Sequence, residues 1–260
     1  MLAHERSGPV GRTPLLLIHA GIADRRMWDP VWPALTAVQD VVRLDLRGYG
    51  ESTAQPVGPW SPRADVLATL DSLGIGRVHV VGCSFGAGVA VEVALERPEA
   101  VASLVLVAPG GALLTERTDE LVAFFEAEGN ALEAGDLDAA VEANLRAWVD
   151  GPRRGPDAVP ASVRDKVGAM QRRVFDITGG WPDEVWSAEE DLSPAAPYRY
   201  GEIMVPTLVL SGGLDIESIR QAGEHLVAGV QTASAVVWDE VAHLPSMERP
   251  QDFAALVPAG

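Results

Sequence analysis

The stretch from Val78 to Gly88, VHVVGCSFGAG, narrows the possible folds more than any other part of the chain. An apolar run suited to a buried strand meets Gly82 and passes at once into residues small enough to start a helix. Almost no connecting loop fits between the two. Ser84 stands at the bend, with Gly82 two residues before it and Gly86 two after. A side chain on so sharp a strand-to-helix turn is held in the open on strained backbone, and bulky flanks would collide. The pattern G-x-S-x-G therefore marks Ser84 as a candidate nucleophile. Cys83, the only cysteine, is the better intrinsic nucleophile. With Cys83 at the centre, however, the trailing flank becomes Phe85, far too large for the turn. Cys83 reads instead as a small buried neighbour at the strand end.

Around this turn the chain alternates strands and helices. Leu15 to His19 and Val41 to Asp45 are short continuous apolar runs, as expected of strands buried on both faces. A helix is expected over Ser61 to Leu73, a strand over Val78 to Val81, a helix over Phe85 to Arg97 and a strand over Val101 to Val107. The rhythm then breaks: residues 110–202 carry only amphipathic helical patterns. Leu121, Val122, Phe124 and Phe125 make one apolar face, Leu137 through Val149 another helix, and Val163, Val167, Met170 and Val174 a third face. It resumes with a strand at Thr207 to Leu210, a helix from Glu217 to Val227, a strand at Ala235 to Val241 and a helix at Pro250 to Leu256. The expected fold is α/β, a mostly parallel sheet of about seven strands with helices on both faces. Residues 1–109 and 203–260 form its core, and residues 110–202 an inserted helical lid over the strands' carboxyl ends.

A serine hydroxyl needs a base to take its proton and a group to orient that base. Of the five histidines, His4 lies in the polar N-terminal tail, His19 and His79 in or beside buried strands, and His225 in mid-helix. His243 differs, because the loop EVAHLPSMERP after the last strand could hang it over the sheet edge beside Ser84. Asp215, just past the strand TLVLSGG, is the candidate acid, with Glu217 its nearest rival. The strand ending at Val107 runs into Ala108, Pro109 and Gly110 and offers no carboxylate; Asp239 and Glu240 read as surface charges. For the oxyanion that attack creates, the N–H groups of Phe85 and Gly21 are the candidate donors, with Ala20 or Ile22 if the register slips by one. Trp148, Trp181 and Trp186 either line an apolar pocket under the lid or pack its helices together, and Leu244 adjoins the histidine. Arg146, Arg172 and Arg173 are candidates to meet a substrate carboxylate, set against the plainer reading of solvated helix residues.

Composition removes other classes. The net charge is −17 and Lys166 is the only lysine, which argues against nucleic acid and anionic membranes as partners. The start, MLAHERSGPVGRTP, lacks the apolar core of a secretory signal, and no run approaches the ~18 apolar residues of a membrane span. A cytoplasmic location follows as the expectation. Scattered histidines, a single cysteine and no HExxH predict no metal site. Gly82, Gly86 and Gly88 do not fit G-x-G-x-x-G and no Walker lysine occurs, so no nucleotide cofactor is expected.

With these segments in place the chain resembles the α/β-hydrolase family, of the lidded, small-substrate kind. LLLIHAG is similar to that family's strand, histidine and oxyanion residue, with Ala20 in place of the usual glycine. DLRGYGES resembles its Asp-x-Arg-Gly-x-Gly-x-Ser turn, which implies structural roles for Asp45 and Arg47. GCSFGAG, SGGLD and VAHLPSMERP resemble the nucleophile, acid and histidine segments, in the order Ser84, Asp215, His243. The likeness covers residues 15–109 and 203–256, and with ADRRMWDPVWPAL it is most similar to enol-lactonases of the 3-oxoadipate type. The family begins with a hairpin, whereas here room remains for only one short strand around Leu2 to Arg6.

The resemblance implies a serine hydrolase that needs no cofactor and acts on a small-molecule ester, lactone or thioester. The same residues would serve C–C bond hydrolysis or perhydrolysis, and a non-turnover receptor on this fold is a third reading.

Overall fold

Runs of Leu, Val and Ile have no polar face to offer water, so they pair side by side with both faces covered. A computed structural model describes residues 1–257, so residues 258–260 of the expected core lie outside the described residues. Seven strands form one sheet: β1 His4–Ser7, β2 Leu15–Ile18, β3 Val41–Leu44, β4 Val78–Cys83, β5 Val101–Val107, β6 Thr207–Gly212 and β7 Ala233–Trp238. Their order is β1-β3-β2-β4-β5-β6-β7, antiparallel only between β1 and β3. The single short strand before β2 closes one edge.

Among the described residues ten α-helices surround it: α1 Trp32–Thr36, α2 Pro62–Ser72, α3 Phe85–Glu96, α4 Asp119–Glu133, α5 Leu137–Asn144, α6 Ala161–Thr178, α7 Asp183–Ser187, α8 Glu217–Gly229, α9 Pro245–Glu248 and α10 Pro250–Leu256. Helix α2 starts where Ser61 caps it, the hydroxyl accepting from Ala64 N–H at 3.3 Å. Side chains alternate across the sheet. Leu16, Ile18, Val80 and Leu104 join the apolar cluster under α2 and α3, while Leu15, Leu17, Val81 and Val105 join the one holding Trp28, Leu35 and Phe253. Each fully buried leucine in these clusters stabilises the fold by ~1.5–3 kcal/mol.

Two expectations need correction. The last strand runs over Ala233–Trp238 instead of Ala235 to Val241, and its Val237 is 57% exposed. As the edge of the sheet it has a neighbour on one side only. Val241 belongs instead to the following loop, where its carbonyl accepts from Leu214 N–H at 3.0 Å. On α4, Leu121 and Phe124 are buried but Val122 and Phe125 are exposed, so the apolar face is narrower than its pattern.

Parallel registry aligns the strands' carboxyl ends, pairing Ile18 with Gly82, Cys83 with Val107 and Val107 with Leu210. Strand order reverses around β2 and β4, and open sheets of this kind present their sites at that edge. The helices α4 to α7 lie between β5 and β6 in sequence. Among the described residues, no helix is long and apolar enough to cross a membrane.

Candidate active site

At the β4–α3 junction the backbone is strained as the sequence pattern requires. Ser84 has φ 54° and ψ −116°, and Ala108 is the only other described non-glycine residue at positive φ. Ser84 N–H donates to Val107 O at 2.8 Å, and Ser84 O accepts from Ala87 N–H at 2.9 Å, which pins the turn to β5 and α3. The flanking glycines are forced by contact. A Cβ on Gly82 would lie 2.3 Å from Gly86 O, and one on Gly86 would lie 2.4 Å from His19 O. Cys83 is buried in the cluster behind, and burial pushes its thiol far above the usual range, as suits a packing residue and not a nucleophile.

Asp215 and His243 come together past β6 and β7. His243 Nδ1 lies 2.8 Å from Asp215 Oδ2, and both side chains are buried. A carboxylate only accepts, so the imidazole carries its proton on Nδ1 and leaves Nε2 for the other side. The second carboxylate oxygen, Oδ1, accepts from Ile216 N–H at 2.8 Å. Glu217 starts α8 and pairs with Arg220, and Asp239 and Glu240 are exposed.

Ser84 and His243 line one cavity of about 600 Å³. Gly21, Ile22, Tyr49 and Phe85 line it from the sheet side, and Leu121, Phe124, Trp148 and Val174 from α4 to α6 and the turn between. Gly21 faces Phe85, whose Cβ is 3.4 Å from where a Gly21 Cβ would stand. Phe85 N–H opens α3, where no carbonyl one turn back can accept it. Ala20 N–H donates to Met27 Sδ at 3.3 Å, which takes it out of the oxyanion alternatives. Ile22 remains beside Gly21 on the lining.

Of the aromatic candidates only Trp148 reaches the cavity. Its indole packs against the His243 ring at 4.6 Å and against Phe124 at 5.0 Å. A π-helical turn over Leu145–Asp150 presents it, and such single turns occur frequently at functional sites. Trp181 and Trp186 pack on each other at 5.3 Å, the former against Gly48 and the latter against Trp60, away from the lining. Leu244 is fully buried in the core and lies outside the lining. Arg146 pairs with Asp150, Arg172 lies 2.9 Å from Asp138, and Arg173 donates to Gly50 O at 3.4 Å. None of these arginines lines the cavity, whereas Arg117 at its rim does.

The remaining expected structural groups have structural partners. His19 Nδ1 lies 2.9 Å from Ala20 O and its Nε2 accepts from Leu46 N–H at 2.9 Å, so the ring is neutral, and burial lowers its pKa. His79 meets Ser103 at 2.7 Å, His225 meets Thr115 at 3.2 Å and His4 meets Leu2 O at 3.0 Å. Asp45 binds the side chain and N–H of Arg25 and the N–H of Glu51, and Arg47 pairs with Asp65. Tyr49, Arg117, Glu128, Asn144 and Gln171 are among the lining residues that sequence reasoning missed. Tyr49 sits inside a segment it had singled out, but nothing in DLRGYGES shows which way the phenol points. Among the described residues no group of three or more His, Cys, Asp or Glu could hold a metal ion.

Comparison with known proteins bears on the family and the fold. The chain is 36% identical over 149 residues to lipase LipV of Mycobacterium tuberculosis, a match covering 56% of this chain and 55% of LipV. It thus spans about half the length of that relative. It is 29% identical over 255 residues to a pimeloyl-(acyl-carrier protein) methyl ester esterase of Neisseria meningitidis serogroup C, covering 96% of this chain and 94% of the relative. The solved structure of an enol-lactonase from Burkholderia xenovorans superposes with a TM-score of 0.75 at 24% identity, over 98% of this chain and 94% of that one, a likeness of fold. The family pattern for the alpha/beta hydrolase fold matches residues 13–250, and with that match the chain belongs to the alpha/beta hydrolase fold family.

Proposed function

We propose that the protein is a serine hydrolase that cleaves a small or medium carboxylic ester, lactone or thioester through an acyl-enzyme intermediate. The observation that carries this reading is that Ser84, on strained backbone, and His243, held by buried Asp215, line the same cavity. Ser84 Oγ attacks the carbonyl carbon while His243 Nε2 takes its proton. Asp215 keeps the ring in the required tautomer and stabilises the imidazolium. The N–H groups of Phe85 and Gly21 hold the oxyanion. The imidazolium then protonates the departing alcohol or thiol, and His243 activates a water that releases the acid and restores the serine. Residues 110–202 act as the lid that keeps bulk water from the acyl-enzyme, over a core of residues 1–109 and 203–260.

The lipase and methyl ester esterase named among the relatives favour an ester over a C–C bond. The test is turnover of short p-nitrophenyl esters and lactones by the wild type and by Ser84→Ala. The variant is expected to lose about 10⁴-fold in kcat, with residual rate from the oxyanion donors. A variant that keeps most of its turnover refutes Ser84 as nucleophile. Stoichiometric labelling of Ser84 by a fluorophosphonate, with no multiple turnover on any ester, favours a receptor instead.

A further inference from the structure

The cavity wall built by α4 to α6 carries three polar side chains that the proposed chemistry does not use. Glu128 comes from α4, Asn144 from the end of α5 and Gln171 from α6. Asn144 is 1% exposed, and its amide nitrogen donates to Glu128 Oε1 at 2.6 Å and to Ala140 O at 3.0 Å. Both of its N–H bonds are therefore used within the protein. Gln171 is 4% exposed, and its Oε1 accepts no hydrogen bond among the described residues.

Glu128 forms no ion pair among the described residues, and a neutral amide is its one polar partner. Burial raises its carboxyl above the ordinary range, and the Asn144 bond offsets only part of that. Helix packing alone would favour apolar side chains here, since the neighbouring wall is Leu121, Phe124 and Val174. Three helices instead each bring one polar group to the same wall. A buried acceptor without a donor is costly to the fold. Pockets of this kind, mostly apolar with a few convergent polar groups, orient ligands by those groups.

We infer that Glu128, Asn144 and Gln171 form a substrate subsite for a hydrogen-bond donor, the hydroxyl, amine or amide N–H of a molecule whose ester lies at Ser84. The inference rests on the proposed hydrolase reading and narrows it. The preferred substrates carry a polar, donating tail, and plain alkyl esters of equal length leave the subsite unpaired. Sites that hydrogen-bond a substrate group reject the analogue lacking it far more strongly than apolar pockets reject a missing methylene.

The experiment compares matched esters ending in a hydroxyl, an amine, an acetamide or a methyl, with the variable tail placed in one series on the acyl side and in another on the alcohol side. The reading is the ratio of kcat/KM between donor-bearing and methyl-terminated members. In the wild type that ratio is expected to exceed about tenfold in one series. It should fall to about one to threefold in Gln171→Leu and in Glu128→Leu. Glu128→Gln separates the donor classes: the amine loses its advantage and the hydroxyl and acetamide keep theirs. A wild-type ratio of about one or below in both series overturns the inference, and so does a preference that survives both leucine substitutions. Should no ester be turned over at all, the hydrolase reading fails by itself. The subsite is then read from the rise in Tm with 1,6-hexanediol and 6-aminohexan-1-ol relative to 1-hexanol. A larger rise that disappears in Gln171→Leu supports it, and equal rises overturn it.

Discussion

At the residue scale, the turn at Ser84 is held by what its neighbours lack. Neither Gly82 nor Gly86 is at positive φ, so backbone freedom does not explain them; collision does. Each added Cβ would meet backbone atoms, which cannot swing away as a flexible side chain can. Gly82→Ala and Gly86→Ala are each expected to destabilise the fold by ~1–3 kcal/mol or more. Gly76→Ala, where a Cβ meets nothing within 4 Å, is the control and should change stability by less than ~0.5 kcal/mol. Denaturant unfolding of the three variants checks this, and equal stabilities would show that the junction relaxes freely. The same steric logic made Ser84 legible from sequence, because the pattern and its cause both lie within five residues.

At the element scale, two adjacent arginines tie the helical segment to the loops that present Asp215 and His243. Arg153 donates to Asp215 O at 2.5 Å, and Arg154 lies 2.7 Å from Glu248, whose other oxygen accepts from Ala242 N–H at 3.0 Å. The chain reaches them through Gly151 at φ 78°, where a Cβ would be 2.5 Å from Leu214 O, so the segment lies directly on the Asp215 loop. Buried Asp150, paired with Arg146 and Arg164, anchors the preceding turn that carries Trp148. The two arginines differ in setting. The Arg153 side chain is 36% exposed, so Arg153→Ala should leave Tm nearly unchanged while lowering kcat about tenfold, a barrier rise of ~1.4 kcal/mol. Arg154 and Glu248 are 12% and 9% exposed, and Arg154→Ala leaves a buried carboxylate without its cation. That variant should lose ~3–5 kcal/mol of stability. Thermal melts together with steady-state kinetics separate the two; a large loss of Tm in Arg153→Ala with unchanged kcat would reverse the assignment.

At the scale of the whole molecule, what was legible divides by range. The strands and the residues just past their ends were readable, because apolar runs and their turns are local. The far wall of the cavity was not, because which face of α4, α5 and α6 meets it depends on packing between helices. Trp148 reached the cavity while Trp181 and Trp186 did not, and nothing in the sequence sets Glu128 or Gln171 apart from other polar residues of amphipathic helices. The edge position of β7 was hidden for the same reason, since an apolar run does not say how many neighbours it has. Long-range packing also sets the response to pH. Glu92, on α3, is pushed up to about 7, chiefly by burial and further by Asp191, Glu189 and Glu96, with Arg63 at 3.8 Å opposing. A carboxyl whose folded pKa exceeds its unfolded value keeps a proton that the unfolded chain releases. Stability is therefore lost as pH rises from the unfolded value toward about 7. His19, held neutral by burial, works in the opposite direction as pH falls below its ordinary value. The comparison that isolates Glu92 is its glutamine variant. Glu92→Gln should raise Tm relative to wild type at about pH 8, with the gain gone by about pH 4.5, where the wild-type carboxyl is protonated in the folded protein. A gain of equal size at both values would mean that the substitution acts through packing, and the buried charge would then carry none of the pH dependence.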